Sequence, residues 1–213
     1  MKTRQPLTWL RQGFLLALTV ALSCCQKSPV DPSRPQTPTV VRIMDKEYPV
    51  RLIGQQQWTV SNYAGPGGRA YRPGDEKPAY GRYYSLAEAR AVTLPAGWRL
   101  PTLQDYRRLV QQQGVVLTND RAMGQEAIKT LASTTNWRSI AGTNASGFDA
   151  QPAGYSFQES DPQDGNIAEF WTAEGHSISI QESAAGKAHS LLFYSTSDSA
   201  AYRFPLRFVR TEF

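Results

Sequence analysis

Cysteine is nearly absent from this chain of 213 residues: there are two, Cys24 and Cys25, side by side near the N-terminus. Everything beyond them lacks a thiol. That excludes a disulfide within the remainder, a thiolate metal site and a cysteine nucleophile there. Histidine is as scarce, at His176 and His189, and neither sits in a zinc motif or near a nucleophile elbow. Both lie in serine-rich, strand-like surroundings, where exposed polar positions are expected. No apolar run approaches the roughly 20 residues that a membrane-crossing helix needs. An excess of one charge is missing too. Of the formal +5, residues 1–23 carry three positive charges and no acid. The rest holds 20 Lys and Arg against 18 Asp and Glu. That near balance gives no basic footprint for nucleic acid, and neither a nucleic-acid partner nor a cofactor is expected.

What the N-terminus does contain is an address. Lys2, Arg4 and Arg11 precede an uncharged run over 13–22, which spans about 15 Å as a helix, half of a bilayer core. A basic start, a short apolar stretch and a small residue before a break describe an export signal over 1–23. Val20-Ala21-Leu22-Ser23-Cys24 resembles the lipobox of bacterial lipoproteins, which implies diacylglycerol on the Cys24 thiol and cleavage before it. Cys25 offers an alternative register, with Leu22 three residues before it. Acyl chains anchor a protein without a spanning helix, each buried CH₂ contributing ~0.8 kcal/mol. Residues 24–38 then form a tether, with Pro29, Pro32, Pro35 and Pro38 favouring an extended spacer of roughly 40 Å.

The folded part is expected over 39–213 and reads as an α+β domain. Segments 40–44, 48–53 and 56–60 have strand character. Ser85-Leu86-Ala87-Glu88 has capping-box spacing, so a helix starts there and runs to Leu94. Thr102-Leu103-Gln104-Asp105 offers a second cap, followed by Leu103, Tyr106, Leu109 and Val110 at helical spacing as far as Gly114. A third helix is expected over 125–132 on Ile128 and Leu131. Residues 136–165 form a long irregular stretch, the kind of segment that often carries binding. Strands return at Ile178, Ile180 and 191–194. Tyr202, Phe204, Leu206 and Phe208 share one face of the last segment, while Arg203 and Arg207 take the other. Pro205 argues for an edge or bulge there.

Several segments, taken in order, carry a family likeness. They are Ile53-Gly54-Gln55-Gln56-Gln57-Trp58, Asn62-Tyr63, Tyr80-Gly81-Arg82-Tyr83-Tyr84, Pro95-Ala96-Gly97-Trp98-Arg99-Leu100-Pro101-Thr102, Gly142-Thr143-Asn144-Ala145-Ser146-Gly147-Phe148 and Phe170-Trp171-Thr172. Together they resemble the Fibrobacter succinogenes major paralogous domain over roughly 40–213. The likeness implies a single C-type-lectin-like domain with short antiparallel strands, two to three helices and long irregular loops, distantly related to the formylglycine-generating sulfatase-modifying enzymes. It also implies a lipoprotein of Bacteroidetes or their relatives, anchored in the cell envelope at the outer membrane. It supplies no site residues. Members of the family carry cysteines where this chain has Leu94 and Phe208, which implies that a bridge has been exchanged for an apolar contact. Within the motif, Trp98 and Leu100 are expected in the core, Thr102 at a helix cap, and Arg99 on loop carbonyls.

A non-catalytic binding or adhesion module, taking a glycan or an envelope protein, follows from these features. The sulfatase modifiers depend on cysteines that this domain lacks. The candidate surface is 138–170, with Asp149, Tyr155, Asp161, Asp164, Asn166 and Glu169 as candidate ligand-binding residues. The run from Asp161 to Asn166 supplies hard oxygens but not the spacing of a calcium loop, so a solvated turn is expected and no metal. A structural envelope or pilus-associated subunit is the alternative, favoured if Tyr80, Tyr83 and Tyr84 form an exposed patch. An enzyme is the weakest reading.

The anchor is directly testable. Cys24→Ala should abolish incorporation of labelled fatty acid and stall processing. Labelling lost only in Cys25→Ala would move the register by one residue, and labelling that survives both changes would contradict the lipoprotein reading.

Overall fold

The strand alternation read from the sequence builds the first sheet. β1 (Val40–Ile43) and β2 (Lys46–Ile53) bury Val41, Ile43, Tyr48, Val50 and Ile53 and leave the intervening residues exposed. β3 (Gln56–Thr59) is buried on both faces. The structure is a computed structural model and describes residues 40–183, 188–196 and 200–211. The export signal, Cys24, Cys25 and the tether lie outside the described residues. α1 (Leu86–Arg90) and α2 (Leu103–Gln112) follow, then β4 (Arg121–Met123), β5 (Ser156–Phe157), β6 (Ile167–Trp171), β7 (His176–Glu182), β8 (His189–Ser195), β9 (Tyr202–Arg203) and β10 (Val209–Thr211). Two antiparallel sheets, ordered β1-β2-β3-β10 and β4-β8-β7-β6, and a small β5-β9 ladder complete an α+β domain.

Both capping boxes form as the spacing predicts. Ser85 and Glu88 exchange side-chain and backbone bonds at α1, and Thr102 and Asp105 do so at α2. Two helix expectations need correction. α1 ends at Arg90, so Leu94 lies beyond it. Residues Glu126–Thr130 form one short 3₁₀ turn instead of a third α-helix. Gln125 cannot cap that turn because its side-chain amide is engaged by both backbone groups of Val116.

Trp98 and Leu100 are buried as expected. Arg99 touches the Leu100 carbonyl, but its main partner is Asp105. Asp105 is almost fully buried and also accepts from Gln56 Nε2 at 2.6 Å and from the Thr102 amide at 2.7 Å. Burial alone would raise its pKa. The bonds from Arg99, Thr102 and Gln56 outweigh burial and hold it down at about 2. The G-W-R-L-P-T segment therefore fastens α2 to β3 and, through the paired backbone of Arg99 and Val209, to β10.

Two large apolar clusters flank the C-terminal segment. One gathers Trp58, Tyr106, Phe148, Phe170, Ile178 and Leu191; the other gathers Tyr63, Tyr84, Trp98, Trp171, Phe204 and Phe208, with Leu94 packed at its side. Phe204, Leu206 and Phe208 enter the second cluster. Arg207 points the other way, as the alternation predicts, yet that side is not solvent. Its guanidinium is fully buried and makes four of its five possible bonds: to Asn62 Oδ1 (2.7 Å) and the carbonyls of Thr59 (3.0 Å), Phe148 (3.0 Å) and Asp149 (2.8 Å). The rings of Phe148 and Phe170 lie 5.0 and 5.4 Å from its central carbon. Burial pulls its pKa down to about 10, so it stays charged at neutral pH. Pro205 falls in the break between β9 and β10, where no ladder bond is required of it.

Arg207 yields a direct test. Arg207→Met fills similar volume but leaves buried acceptors without donors, each costing ~1–3 kcal/mol, so urea unfolding should show a loss of at least about 3 kcal/mol. A loss below about 1 kcal/mol would contradict the role given to this side chain.

Candidate functional site

Beside the two large clusters lies a third, made of Tyr71, Tyr80, Tyr83 and Ala153. Tyr71 and Tyr80 of this cluster line an open cleft of about 630 Å³, within the ~300–1,000 Å³ range of small-molecule sites. Three segments distant in sequence meet there: the 71–80 strap, the 136–138 turn and the Asp164-Gly165 turn. The strap is rich in turn residues, and Lys77-Pro78 leads into a short 3₁₀ turn, Pro78–Tyr80.

Asp164 ties the cleft together. Its two oxygens accept from Lys77 Nζ at 2.8 Å and from the Tyr71 hydroxyl at 2.9 Å, and Lys77 Nζ also reaches that hydroxyl at 3.0 Å. The Lys77 ammonium lies over the Tyr71 and Tyr80 rings, at 4.4 and 5.1 Å. Burial alone would raise the Asp164 pKa; its bonds to Lys77 and Tyr71 outweigh that and lower it. For Lys77 burial pulls down, while Asp164 and Tyr71 push its pKa up further. Burial also raises the Tyr80 hydroxyl, to about 12. At neutral pH the cleft thus holds one fixed ion pair beside the neutral Tyr80 hydroxyl. Arg138 lines the wall, its amide bonded to the Gly165 carbonyl at 2.7 Å and its guanidinium to the Asp164 carbonyl at 3.1 Å.

Of the six candidates read from the sequence, Asp164 alone lines the cleft. Asp161 stands at its margin, 3.5 Å from Arg72 Nε. Asp149 is a backbone device: at positive φ it accepts from Asn144 and Gln151 and gives its carbonyl to Arg207. Tyr155 packs on Tyr202 and Phe204. Asn166 is exposed, and its carbonyl accepts from the Glu182 amide. Glu169 is buried against the Tyr194 hydroxyl, away from the cleft. Tyr71, Arg72, Lys77 and Tyr80 were not among the candidates. Their signal was the only cluster of tyrosines and cations inside a Gly- and Pro-rich loop.

The G-T-N-x-S-G-F segment is also structural. Asn144 and Asp149 clasp each other, Ser146 Oγ donates to the Thr130 carbonyl, and Phe148 packs edge-on to Trp58. Gly142 passes so close to Ala132 that a Cβ would fall 2.0 Å from the Ala132 carbonyl oxygen, so no other residue fits. Tyr80, Tyr83 and Tyr84 are all buried, so the exposed aromatic patch that would favour a structural subunit does not form. His189 is a further correction. It is fully buried, edge-on to Trp137 at 4.6 Å, and neither ring nitrogen has a partner. Among the described residues no cluster of His, Cys, Asp and Glu is placed to hold a metal, and no helix is long and apolar enough to cross a membrane.

The class is therefore an α+β domain in which shared sequence segments build the scaffold and a polar cleft lies beside them. The chain belongs to the Fibrobacter succinogenes major domain family, whose model matches residues 52–210. No curated protein and no solved structure matches it.

Two buried titrating groups give opposite pH dependences. Burial, with Lys129 adding to it and Glu182 and Glu126 opposing, lowers the pKa of His189 below its ordinary 6.5. The unfolded chain then binds the extra proton first, so stability is lost as pH falls below about 6.5. Burial raises Glu169 from 4.5 to about 7, against the pull of Tyr194 and Ser179, so its contribution is present below pH 4.5 and lost as pH rises through 7. Melting temperatures across pH should show His189→Phe flattening the acid limb and Glu169→Gln flattening the limb between pH 5 and 7. Parallel curves for both variants and the wild type would contradict these assignments.

Proposed function

We propose that this protein is a lipid-anchored component of the bacterial cell envelope whose domain, a C-type-lectin-like scaffold, binds a glycan without transforming it. The observation that carries the reading is the cleft: an open, polar concavity built by irregular loops on a rigid scaffold, where specificity is ordinarily placed. Its tyrosines lie beneath the surface, and the exposed apolar residues of its lining are Pro78 and Ala79. A protein partner would ordinarily require an aromatic or aliphatic anchor pocket. A ligand dense in hydroxyl groups matches the exposed amide of Asn136 and the cations around it. Glycoside hydrolysis ordinarily uses a pair of carboxylates, and of the two in the lining Asp164 is tied to Lys77 and Tyr71, which favours binding.

The alternative of a structural envelope or pilus-associated subunit loses the tyrosine patch that would have favoured it. The Cys24 anchor and the proline-rich tether fit an outer-membrane placement with the domain held off the lipid surface. The full chain, solubilised in detergent, should be retained on a panel of immobilised envelope and extracellular glycans, and Lys77→Met should weaken retention about tenfold. Absence of retention on every glycan would overturn the proposal.

A further inference from the structure

The charge arrangement of the cleft specifies its ligand further, and this step rests on the binding reading above. Asp164 is ion-paired with Lys77 and accepts from Tyr71, so this pair adds no net charge to the cleft. Among the described residues Arg138 has a main-chain carbonyl, that of Asp164, and no carboxylate as partner for its guanidinium. Arg72 is oriented by the Tyr71 ring, 4.9 Å from its guanidinium carbon. Its Nε makes no hydrogen bond but forms a salt bridge, at 3.5 Å, with the Asp161 carboxylate, both side chains being exposed. An exposed ion pair of this kind contributes little, so a ligand oxyanion can compete with Asp161 for the terminal nitrogens of Arg72. Against these groups the lining offers one further carboxylate, the exposed Asp75.

On the other side of the 71–80 strap, a second concavity of about 350 Å³ shares Tyr71, Lys77 and Pro78 with the first and adds Lys46 and Arg82 against Glu76. Lys46 donates to the Ala64 carbonyl and Arg82 to the carbonyls of Gly67 and Gly68. Neither has a carboxylate partner among the described residues. Cations outnumber acids on this second side, whereas on the first Arg72, Lys77 and Arg138 meet Asp75, Asp164 and, at the margin, Asp161.

We infer that the cleft takes a carboxylate-bearing saccharide, a uronic-acid type of ligand, with the carboxylate held between Arg72 and Arg138. A planar guanidinium pairs with a planar carboxylate through two parallel bonds, and the terminal nitrogens of Arg72 and Arg138 are the donors. Hydroxyl groups of the sugar face Asn136 and the main chain of the 164–165 turn. The surplus of cations beyond the strap allows a second acidic unit of the same chain to engage Lys46 or Arg82.

A matched pair of probes isolates the charge: oligogalacturonate and the same oligomer as its methyl ester, titrated against the full chain. The acid should bind at least tenfold more tightly than the ester, with affinity falling as salt rises. Arg138→Gln should bring the two within about threefold of each other, and Arg138→Lys should restore part of the preference. The comparison on the wild-type chain requires no variant to fold. Equal binding of acid and ester would overturn the inference. Retention of only neutral glycans would overturn it while leaving glycan binding intact. Failure to bind any glycan, acidic or neutral, would overturn both.

Discussion

A guanidinium with no water around it governs how this domain is assembled. Arg207 donates to carbonyls at the end of β3 and in the 148–149 turn, and to the side chain of Asn62. Three segments far apart in sequence are thus tied at one point between the two cores. Leaving a charge unpartnered in such a place costs several kcal/mol; here four directed bonds and two aromatic faces take the place of water. Because the acceptors are main-chain carbonyls, the tie fixes backbone positions instead of a neighbouring rotamer.

Asp105 is the complementary device. It is a buried acceptor for Arg99, Thr102 and Gln56, where Arg207 is a buried donor. Between them the two groups account for two of the segments that carry the family likeness. G-W-R-L-P-T builds the Asp105 network, and G-T-N-x-S-G-F shapes the turn that Arg207 grips. The most recognisable residues of the sequence hold the fold together. The proposed ligand surface lies on the 71–80 strap and the turns facing it, beside the Tyr71, Tyr80 and Tyr83 cluster.

Local signals in the sequence were legible and non-local ones were not. Both capping boxes could be read because three-residue spacing records them directly, and alternation marked β1 and β2. The expected helix over 125–132 fitted the spacing of Ile128 and Leu131 but had no cap, since Gln125 bonds to Val116. The burial of Arg207 could not be read, because arginine is ordinarily exposed and its acceptors come from distant loops. Glu169 leaves the first core by alternation, but the face it joins is covered, as the packing of Trp171 on Phe204 shows. His189 was within reach: it shares strand parity with Leu191 and Phe193, both core-facing. The cleft needed three segments to be brought together, and Asp164 was its one residue within the expected surface that read as a ligand.

The central claim is that scaffold and ligand surface are separate parts of this domain. Backbone amide chemical shifts of the isotope-labelled full chain, recorded with and without a saturating acidic oligosaccharide, test it most directly. The account predicts perturbations gathered over residues 71–80, 136–138 and 164–165, with the amides of 97–105 and 142–148 unmoved. Perturbations centred on those two motif segments, with the strap unaffected, would contradict it.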